Sequence, residues 1–295
     1  MGVKKLGGAA ASKPVRWSLP RGRLLRRTLR TDTELEYSVY VPTTGGVETP
    51  VLVAAHGMSL SWNGQAEAFV AGCEWLGVTL VAPSFSGAAH ADYQRLGREG
   101  QGQRADQFLQ RCLQEVHSLT GADITQVRLF GHSGGAQFVH RYLMAYPHRV
   151  ARAVVAGAGW YTFPDTGLKF PYGIRSSRRL PGVTFNPEAY LQVPVTVLVG
   201  AKDTEPHKLR GSERVNQQQG LTRIDRARNW VAAMHAQAAA HGVAPRVTLA
   251  ELPEAGHSFA DLCRHGALVD RVFGTLFDAT FKPHPLPNGA DKLAA

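Results

Sequence analysis

The sequence is poor in cysteine and has no long apolar run. These two features argue against a disulfide-rich protein and against a membrane-spanning protein. Its 295 residues include three cysteines, Cys73, Cys112 and Cys263, too few for a disulfide framework. We expect each to lie on a buried helix face as a small apolar side chain, and the spacing leaves one disulfide open. No apolar run approaches the length that crosses a bilayer, and the residues after Lys4 and Lys5 are too weakly apolar for a signal peptide. We therefore predict a cytoplasmic protein or a mature form, with no transmembrane segment.

Acidic residues are absent before Asp32, whereas nine lysines and arginines precede it in a chain of net charge +10. Such a segment can attract nucleic acid, an anionic membrane or an acidic polymer. Because no known nucleic-acid-binding motif accompanies the charge, we interpret residues 1–23 as a solvated basic arm before an edge strand. A nucleic-acid partner is not expected, and anionic binding through the arm is an alternative. Residues 286–295 are interpreted as a tail whose end is vector-derived.

Strand-like and helix-like patterns alternate through residues 24–285. Two strand patterns, at 24–30 and 35–41, are separated by a short polar break. They predict a pair of antiparallel strands. Apolar or alternating runs predict further strands at 51–55, 78–83, 126–130, 150–156, 193–200 and 246–252. Helical spacing occurs at 105–118, 136–146, 224–241 and 262–277. This order predicts one α/β domain with a mostly parallel sheet and helices on both faces.

Residues 159–192 break this alternation. The segment carries several prolines and aromatic residues together with Arg175, Arg178 and Arg179. Connections of this length inside a compact domain tend to be functional. We predict an inserted cap or substrate loop here.

The most informative motif is Gly131-His132-Ser133-Gly134-Gly135, which lies between a predicted strand and a predicted helix. A strand that turns into a helix through glycines holds the central serine hydroxyl at the helix N-terminus, where developing negative charge is favoured. In a chain with 31 glycines, the alternative is a glycine-rich turn with an incidental serine. The rest of the constellation decides between the two.

A serine nucleophile needs a histidine base that a carboxylate orients. Asp203 directly follows the strand at 193–200, and His257 directly follows the strand at 246–252. The resulting order, Ser133, Asp203 and His257, is the order of a nucleophile-elbow hydrolase. Glu205, close to Asp203, and Asp165, in the inserted segment, are alternative acids.

Other residues are candidates for the oxyanion hole and the substrate pocket. The backbone N–H groups of Gly134 and Met58 are the predicted oxyanion donors, because one follows the nucleophile and the other lies in the loop after the strand at 51–55. His56, in that loop, is expected to hydrogen-bond locally. The candidate substrate-contacting residues are Trp62, His132, Trp160, Tyr161 and Phe163. The alternative for His132 is that it packs beside the turn at 131–135. The alternative for Trp160, Tyr161 and Phe163 is that they form the core of the inserted segment.

The turns at His56-Gly57, at 131–135, at Gly200 to Asp203 and at 256–259 together resemble the α/β-hydrolase superfamily over about residues 30 to 280. The N-terminal strand pair and the helix beginning at Ala136 are similar to esterases of the polyhydroxybutyrate-depolymerase and feruloyl-esterase group. This resemblance implies the α/β-hydrolase fold and hydrolysis of small-molecule or polymeric esters through an acyl-enzyme, with no metal and no organic cofactor. Amide or peptide cleavage by the same triad and a non-catalytic binding protein with this fold are the alternatives.

Overall fold

One mixed sheet passes through the computed structural model, which describes residues 19–58, 62–205, 209 and 212–279. Its eight strands are β1 Leu24–Leu29, β2 Asp32–Tyr40, β3 Pro50–Ala55, β4 Thr79–Pro83, β5 Asp123–His132, β6 Val150–Ala156, β7 Val195–Gly200 and β8 Val247–Leu252, in the spatial order β1-β2-β4-β3-β5-β6-β7-β8. The pairs β1–β2 and β2–β4 are antiparallel, and every other pair is parallel. The predicted α/β class and the antiparallel start are confirmed. The predictions for residues 1–18 and 286–295 lie outside the described residues.

Helices cover both faces of this sheet. They are α1 Trp62–Glu67, α2 Val70–Leu76, α3 Ala105–Thr120, α4 Gly134–Ala145, α5 Pro187–Tyr190, α6 Glu213–Gln219, α7 Arg223–Ala240, α8 Phe259–Gly266 and α9 Leu268–Phe277. A hydrophobic core lies on each face of the sheet, and successive side chains of β3 point alternately into the two cores. Val51 and Val53 join the core that α3, α4 and α7 complete, whereas Leu52 joins the core under α2, α8 and α9. None of the described helices is long and apolar enough to cross a bilayer.

The end of the domain differs from its prediction. The single closing helix predicted over 262–277 is wrong, because the structure has two helices there, α8 and α9. Ala267, between them, adopts a left-handed backbone with φ 48°, and its N–H donates to the carbonyl oxygen of Leu262. A left-handed residue closes a helix by satisfying one of its last carbonyl groups, and the chain then restarts in a new direction. The helical spacing of the apolar residues continues across this break, so the pattern alone did not reveal it.

The three cysteines are free thiols on helices. Cys73 on α2 and Cys112 on α3 are fully buried, as expected, and Cys263 on α8 is partly buried. Burial raises the pKa of the Cys263 thiol to about 12. The one disulfide that the spacing left open is therefore not formed.

The N-terminus of α4 packs directly onto the end of β3. A Cβ atom built on Gly135 would lie 2.0 Å from the carbonyl oxygen of Ala55, closer than any real contact. Only a residue without a side chain permits this approach, which brings the start of α4 to the carboxyl-terminal edge of the parallel strands.

We expect Gly135→Ala to lower the free energy of unfolding by about 3 kcal/mol, since the new methyl group must push α4 away from β3. Urea denaturation measures this loss. Gly46→Ala is the matched control, because a Cβ at Gly46 meets no atom within 4 Å. Equal stability of the two variants would contradict the close packing of α4 on β3.

Candidate active site

Ser133 occupies a strained turn between β5 and α4. Its φ is 51°, in the left-handed region that non-glycine residues rarely adopt, and its N–H donates to the carbonyl oxygen of Ala156 at 2.8 Å. Backbone conformations of this kind persist only where the surroundings enforce them, and they cluster at functional sites. The hydroxyl is thereby held at the N-terminus of α4, beside the ends of β5 and β6.

Two further side chains complete a hydrogen-bonded row with Ser133. His257 follows β8, and its Nε2 lies 3.1 Å from the Ser133 Oγ. The other ring nitrogen, Nδ1, lies 2.8 Å from Oδ2 of Asp203, which follows β7. In this arrangement the serine hydroxyl donates to Nε2 and Nδ1–H donates to the carboxylate. The structure thus brings together the three residues that the sequence analysis selected.

The alternative acids do not hold this position. Glu205 is exposed on the loop after Asp203. Asp165 is also exposed, and its carboxylate accepts a hydrogen bond from the N–H of Gly167 in the segment between β6 and β7. The carboxylate at His257 Nδ1 is that of Asp203.

Arg223 binds the second oxygen of the same carboxylate. Its Nη1 donates to Oδ1 of Asp203 at 2.7 Å, and the two side chains are only 8% and 5% exposed. Burial raises the pKa of Asp203, but the hydrogen bond and charge of His257 together with those of Arg223 outweigh it, so this pKa lies below its usual value. Asp203 is therefore held ionised between two partners.

The sequence analysis missed Arg223. It is the first residue of α7, where a capping box between Thr222 and Asp225 starts the helix. That capping pattern could have located the helix start, but nothing in the local sequence indicates that the side chain reaches Asp203.

His132 supports the backbone of His257. Its ring is 5% exposed, and its Nε2–H donates to the carbonyl oxygen of His257 at 2.9 Å. Burial lowers the pKa of His132 to about 3, so this ring is neutral. The ring thus packs against the turn that carries His257, and its predicted substrate contact stays a prediction.

The two predicted oxyanion donors lie in loops that meet at Ser133. Gly134 begins α4, and a Cβ on Gly57 would lie 3.3 Å from the Cβ of Ser133, so the turn that carries Met58 lies beside the serine. The Met58 side chain is 59% exposed. The turn that carries Met58 and the start of α4 thus lie on either side of Ser133, and the oxyanion hole stays a prediction.

Tyr93 and His56 fix these two loops relative to each other. His56 Nδ1–H donates to the carbonyl oxygen of Gly57 at 2.7 Å, and its Nε2 accepts the N–H of Phe85 at 2.9 Å. Tyr93, which the sequence analysis missed, donates its hydroxyl to the carbonyl oxygen of His56 at 3.1 Å. A Cβ on Gly134 would lie 2.2 Å from that hydroxyl. The buried Tyr93 therefore spans the turn after β3 and the start of α4.

The four predicted aromatic contacts have different surroundings. Tyr161 is 1% exposed and stacks on Trp230 at 4.9 Å, so it belongs to the core, and its predicted substrate contact stays a prediction. Trp160 is covered by the guanidinium of Arg141, whose carbon lies 4.2 Å from the ring centre. Phe163 is partly buried against the core. Trp62 is buried at the start of α1 beneath Arg26 of β1.

Comparison with known proteins gives structural likenesses only. No protein-family model and no curated protein sequence matches the chain. A poly(3-hydroxybutyrate) depolymerase from Bordetella parapertussis is 26% identical, with a TM-score of 0.70 over 92% of this chain and 95% of that one. Poly(aspartic acid) hydrolase-1 from Sphingomonas sp. KT-1 is also 26% identical, with a TM-score of 0.66 over 76% of this chain and 88% of that one.

A more distant neighbour bears on the fold alone. An S-formylglutathione hydrolase from Agrobacterium tumefaciens is 15% identical, with a TM-score of 0.56 over 86% of this chain and 94% of that one. Together with the sheet order and the turn at Ser133, these likenesses show that the chain has the α/β-hydrolase fold, and its structural neighbours are esterases and other serine hydrolases.

Proposed function

We propose that this protein is a serine hydrolase that cleaves carboxylic esters through an acyl-enzyme on Ser133. The observation that carries the proposal is the continuous row of hydrogen bonds from the Ser133 hydroxyl through His257 to Asp203. A lone serine hydroxyl is a weak nucleophile, and this row supplies the base and the orienting carboxylate that it needs. The likeness to a poly(3-hydroxybutyrate) depolymerase supports the same chemistry.

In the first half-reaction, His257 Nε2 takes the proton of Ser133 while Oγ forms a bond to the ester carbonyl carbon. The carbonyl oxygen becomes an oxyanion, which the N–H groups of Gly134 and Met58 stabilise. Asp203 holds the imidazolium ring in place and offsets its new charge. The bond to the alcohol oxygen then breaks, the alcohol leaves with the proton from His257, and the acyl group stays on Ser133.

In the second half-reaction, water replaces the alcohol. His257 takes a proton from the water, whose oxygen attacks the acyl carbon and forms a second oxyanion in the same N–H pair. Collapse of this intermediate breaks the bond to Ser133 Oγ, which regains the proton from His257. The acid product leaves, and no group other than water is consumed.

We assign the domain and its substrate loop from their positions relative to the strands of the sheet. Residues 24–285 form the hydrolase domain, and residues 159–192, between β6 and β7, form the substrate loop. Trp160 lies near the start of this loop, four residues after β6, and 9% of its area is exposed. We assign substrate contact to Trp160, with Phe163 and Trp62 as further candidates.

Amide cleavage is the second candidate, and one comparison favours it. Poly(aspartic acid), named for one structural neighbour, is a polyamide, whereas poly(3-hydroxybutyrate), named for another, is a polyester. We expect p-nitrophenyl butyrate to be turned over far faster than butyryl p-nitroanilide. Comparable kcat/KM values for the two substrates would favour the amidase instead.

Replacement of the nucleophile tests the central proposal. We expect Ser133→Ala to lower kcat for p-nitrophenyl esters by roughly 10⁵-fold, because no other group takes the acyl chain. The assay uses a series of esters from short to long acyl chains. Ser118→Ala is the matched control, since Ser118 is exposed on α3 and its hydroxyl bonds only to its own helix, at Glu115. Absence of turnover in the wild type, or turnover that survives in Ser133→Ala, would refute the proposal.

Removal of the Arg223 charge tests its role as a positioning residue. Without that charge the Asp203 carboxylate acts on His257 alone and stabilises the protonated ring, so we expect the low-pH limb of kcat/KM, where His257 can no longer take a proton, to move to higher pH in Arg223→Met. Arg223→Lys should restore part of this shift. The matched control is Arg228→Met on the same helix, which removes an ion pair with Glu251 and does not touch Asp203. If Arg223 had a purely structural role, the low-pH limb of the kcat/KM profile would not move.

The same substitution has a pH-dependent effect on stability. Removal of one partner of a buried ion pair is costly, and we expect Arg223→Met, which leaves Asp203 with His257 alone, to lower the free energy of unfolding by about 3 kcal/mol at neutral pH. Because the pKa of Asp203 is depressed in the folded protein, this stabilisation is complete above the unfolded value, about 3.9, and is lost as the pH falls through the lower folded value. The wild type and the variant should therefore converge in urea denaturation in strong acid. A constant difference at every pH would contradict the assignment.

A further inference from the structure

A strongly basic cavity lies on the segment between β6 and β7. Its volume is about 690 Å³, and residues 167–179 form most of its wall together with Arg98 and Arg214. Six of its lining side chains are cations: Arg98, Lys169, Arg175, Arg178, Arg179 and Arg214. None of its lining residues is acidic, so the potential inside the cavity is positive.

Most of this charge is not neutralised by the protein. Lys169, Arg175, Arg178 and Arg179 are exposed, and none of these four forms an ion pair with an acidic residue among those that the structure describes. Arg98 is paired with Asp92, and Arg214 lies 4.4 Å above the ring of Tyr172. Four unpaired cations around one concave surface indicate an anionic occupant.

The cavity wall is held by the fold. The N–H of Phe170 donates to the carbonyl oxygen of Arg175, and the N–H of Arg175 donates to that of Leu168, both at 3.0 Å. These bonds close a tight turn, and the Phe170 ring anchors it by stacking on Phe185 at 5.4 Å. The cations at the two ends of this turn, Lys169 and Arg175, therefore have a fixed backbone spacing, which lowers the entropic cost of binding.

The cavity lies at the same edge of the sheet as Ser133, His257 and Asp203. Its lining residues follow the carboxyl-terminal ends of β4, β6 and β7, and Ser133 and His257 follow those of β5 and β8. Parallel strands gather ligands at this edge. Trp160, four residues after β6, packs against the cavity wall, since its ring centre lies 5.6 Å from that of Tyr172.

We propose that this cavity binds carboxylate groups of a polyanionic substrate, a polymer that carries an acid group on its repeating units, while one of its carbonyl carbons lies at Ser133. Arginine suits this task, since its planar guanidinium forms paired hydrogen bonds with a carboxylate. The inference rests on the proposed hydrolase function and names the substrate class of that site.

A single-stranded nucleic acid is the competing polyanion, and the cavity suits it less well. Such strands are bound by aromatic side chains on which the bases stack. Phe170 is 4% exposed, and Tyr172 has Arg214 over one face of its ring and Trp160 beside it. The cavity therefore offers charge without an open stacking surface.

Direct binding tests the inference apart from turnover. In a Ser133→Ala background, which spares the ligand, calorimetry measures the Kd of short poly(malic acid), a polyester with a free carboxylate on each unit. Its neutral methyl ester is the matched ligand. We expect the acid to bind more tightly than the methyl ester, and the difference to shrink at high salt because exposed charges are screened.

Two triple variants locate the binding site. We expect Arg175→Gln/Arg178→Gln/Arg179→Gln to weaken poly(malic acid) binding by about tenfold, equivalent to about 1.4 kcal/mol. The matched control, Arg23→Gln/Arg30→Gln/Arg264→Gln, removes the same charge from exposed positions outside the cavity and should change Kd by less than about threefold. Thermal unfolding verifies that both triples are folded.

The outcomes separate this inference from the proposed function. Equal losses in the two triples, or no loss in either, would overturn the inference. Tighter binding of a single-stranded oligonucleotide of equal charge, lost in the cavity triple, would overturn it in favour of nucleic acid. Turnover of p-nitrophenyl esters without polyacid binding would refute the inference and leave the esterase standing. Polyacid binding that depends on the cavity, without ester turnover, would support the anion site and refute the hydrolase.

Discussion

The contact of α4 with the end of β3 is the constraint on which the site depends. Gly135 approaches the Ala55 carbonyl so closely that the chain between β5 and α4 has almost no freedom, and Ser133 is forced to a positive φ. The backbone cost at that residue is met by the packing of the helix on the sheet. Because the strain is held by core packing, the serine hydroxyl has a defined position before any substrate arrives, as a preorganised nucleophile requires.

Around this fixed hydroxyl, electrostatics set the protonation states. Asp203 is shared between His257 and Arg223, so its negative charge is retained although the side chain is buried. A carboxylate held in this way stabilises the imidazolium that forms when His257 takes a proton. Arg223 binds the other oxygen of this carboxylate, so one anion has a guanidinium and the imidazole of His257 as its two partners. His132, neutral through burial, holds the backbone of His257 without adding a charge of its own.

Much of this could be predicted from the sequence, and the misses have a common cause. Ser133, Asp203 and His257 each follow an apolar strand within a short turn, and a parallel sheet brings such turns together. Arg223 and Tyr93 act through contacts with residues far away in the chain, and no local pattern encodes such contacts. The break at Ala267 was hidden for the related reason that helical spacing continues across it.

The proposed basis of substrate choice lies in residues 159–192, which interrupt the alternation of strands and helices. From the sequence alone, Arg175, Arg178 and Arg179 are three further cations in a basic chain. A solvated surface explains them as well as an anion-binding site does. The structure adds their arrangement around one cavity, without an acidic residue in its wall and on the edge of the sheet that carries Ser133. Charge that the fold leaves unpaired in a concave site costs self-repulsion, and an anionic ligand removes that cost. Under the two proposals, ester cleavage at Ser133 is combined with a local positive charge that favours anionic substrates.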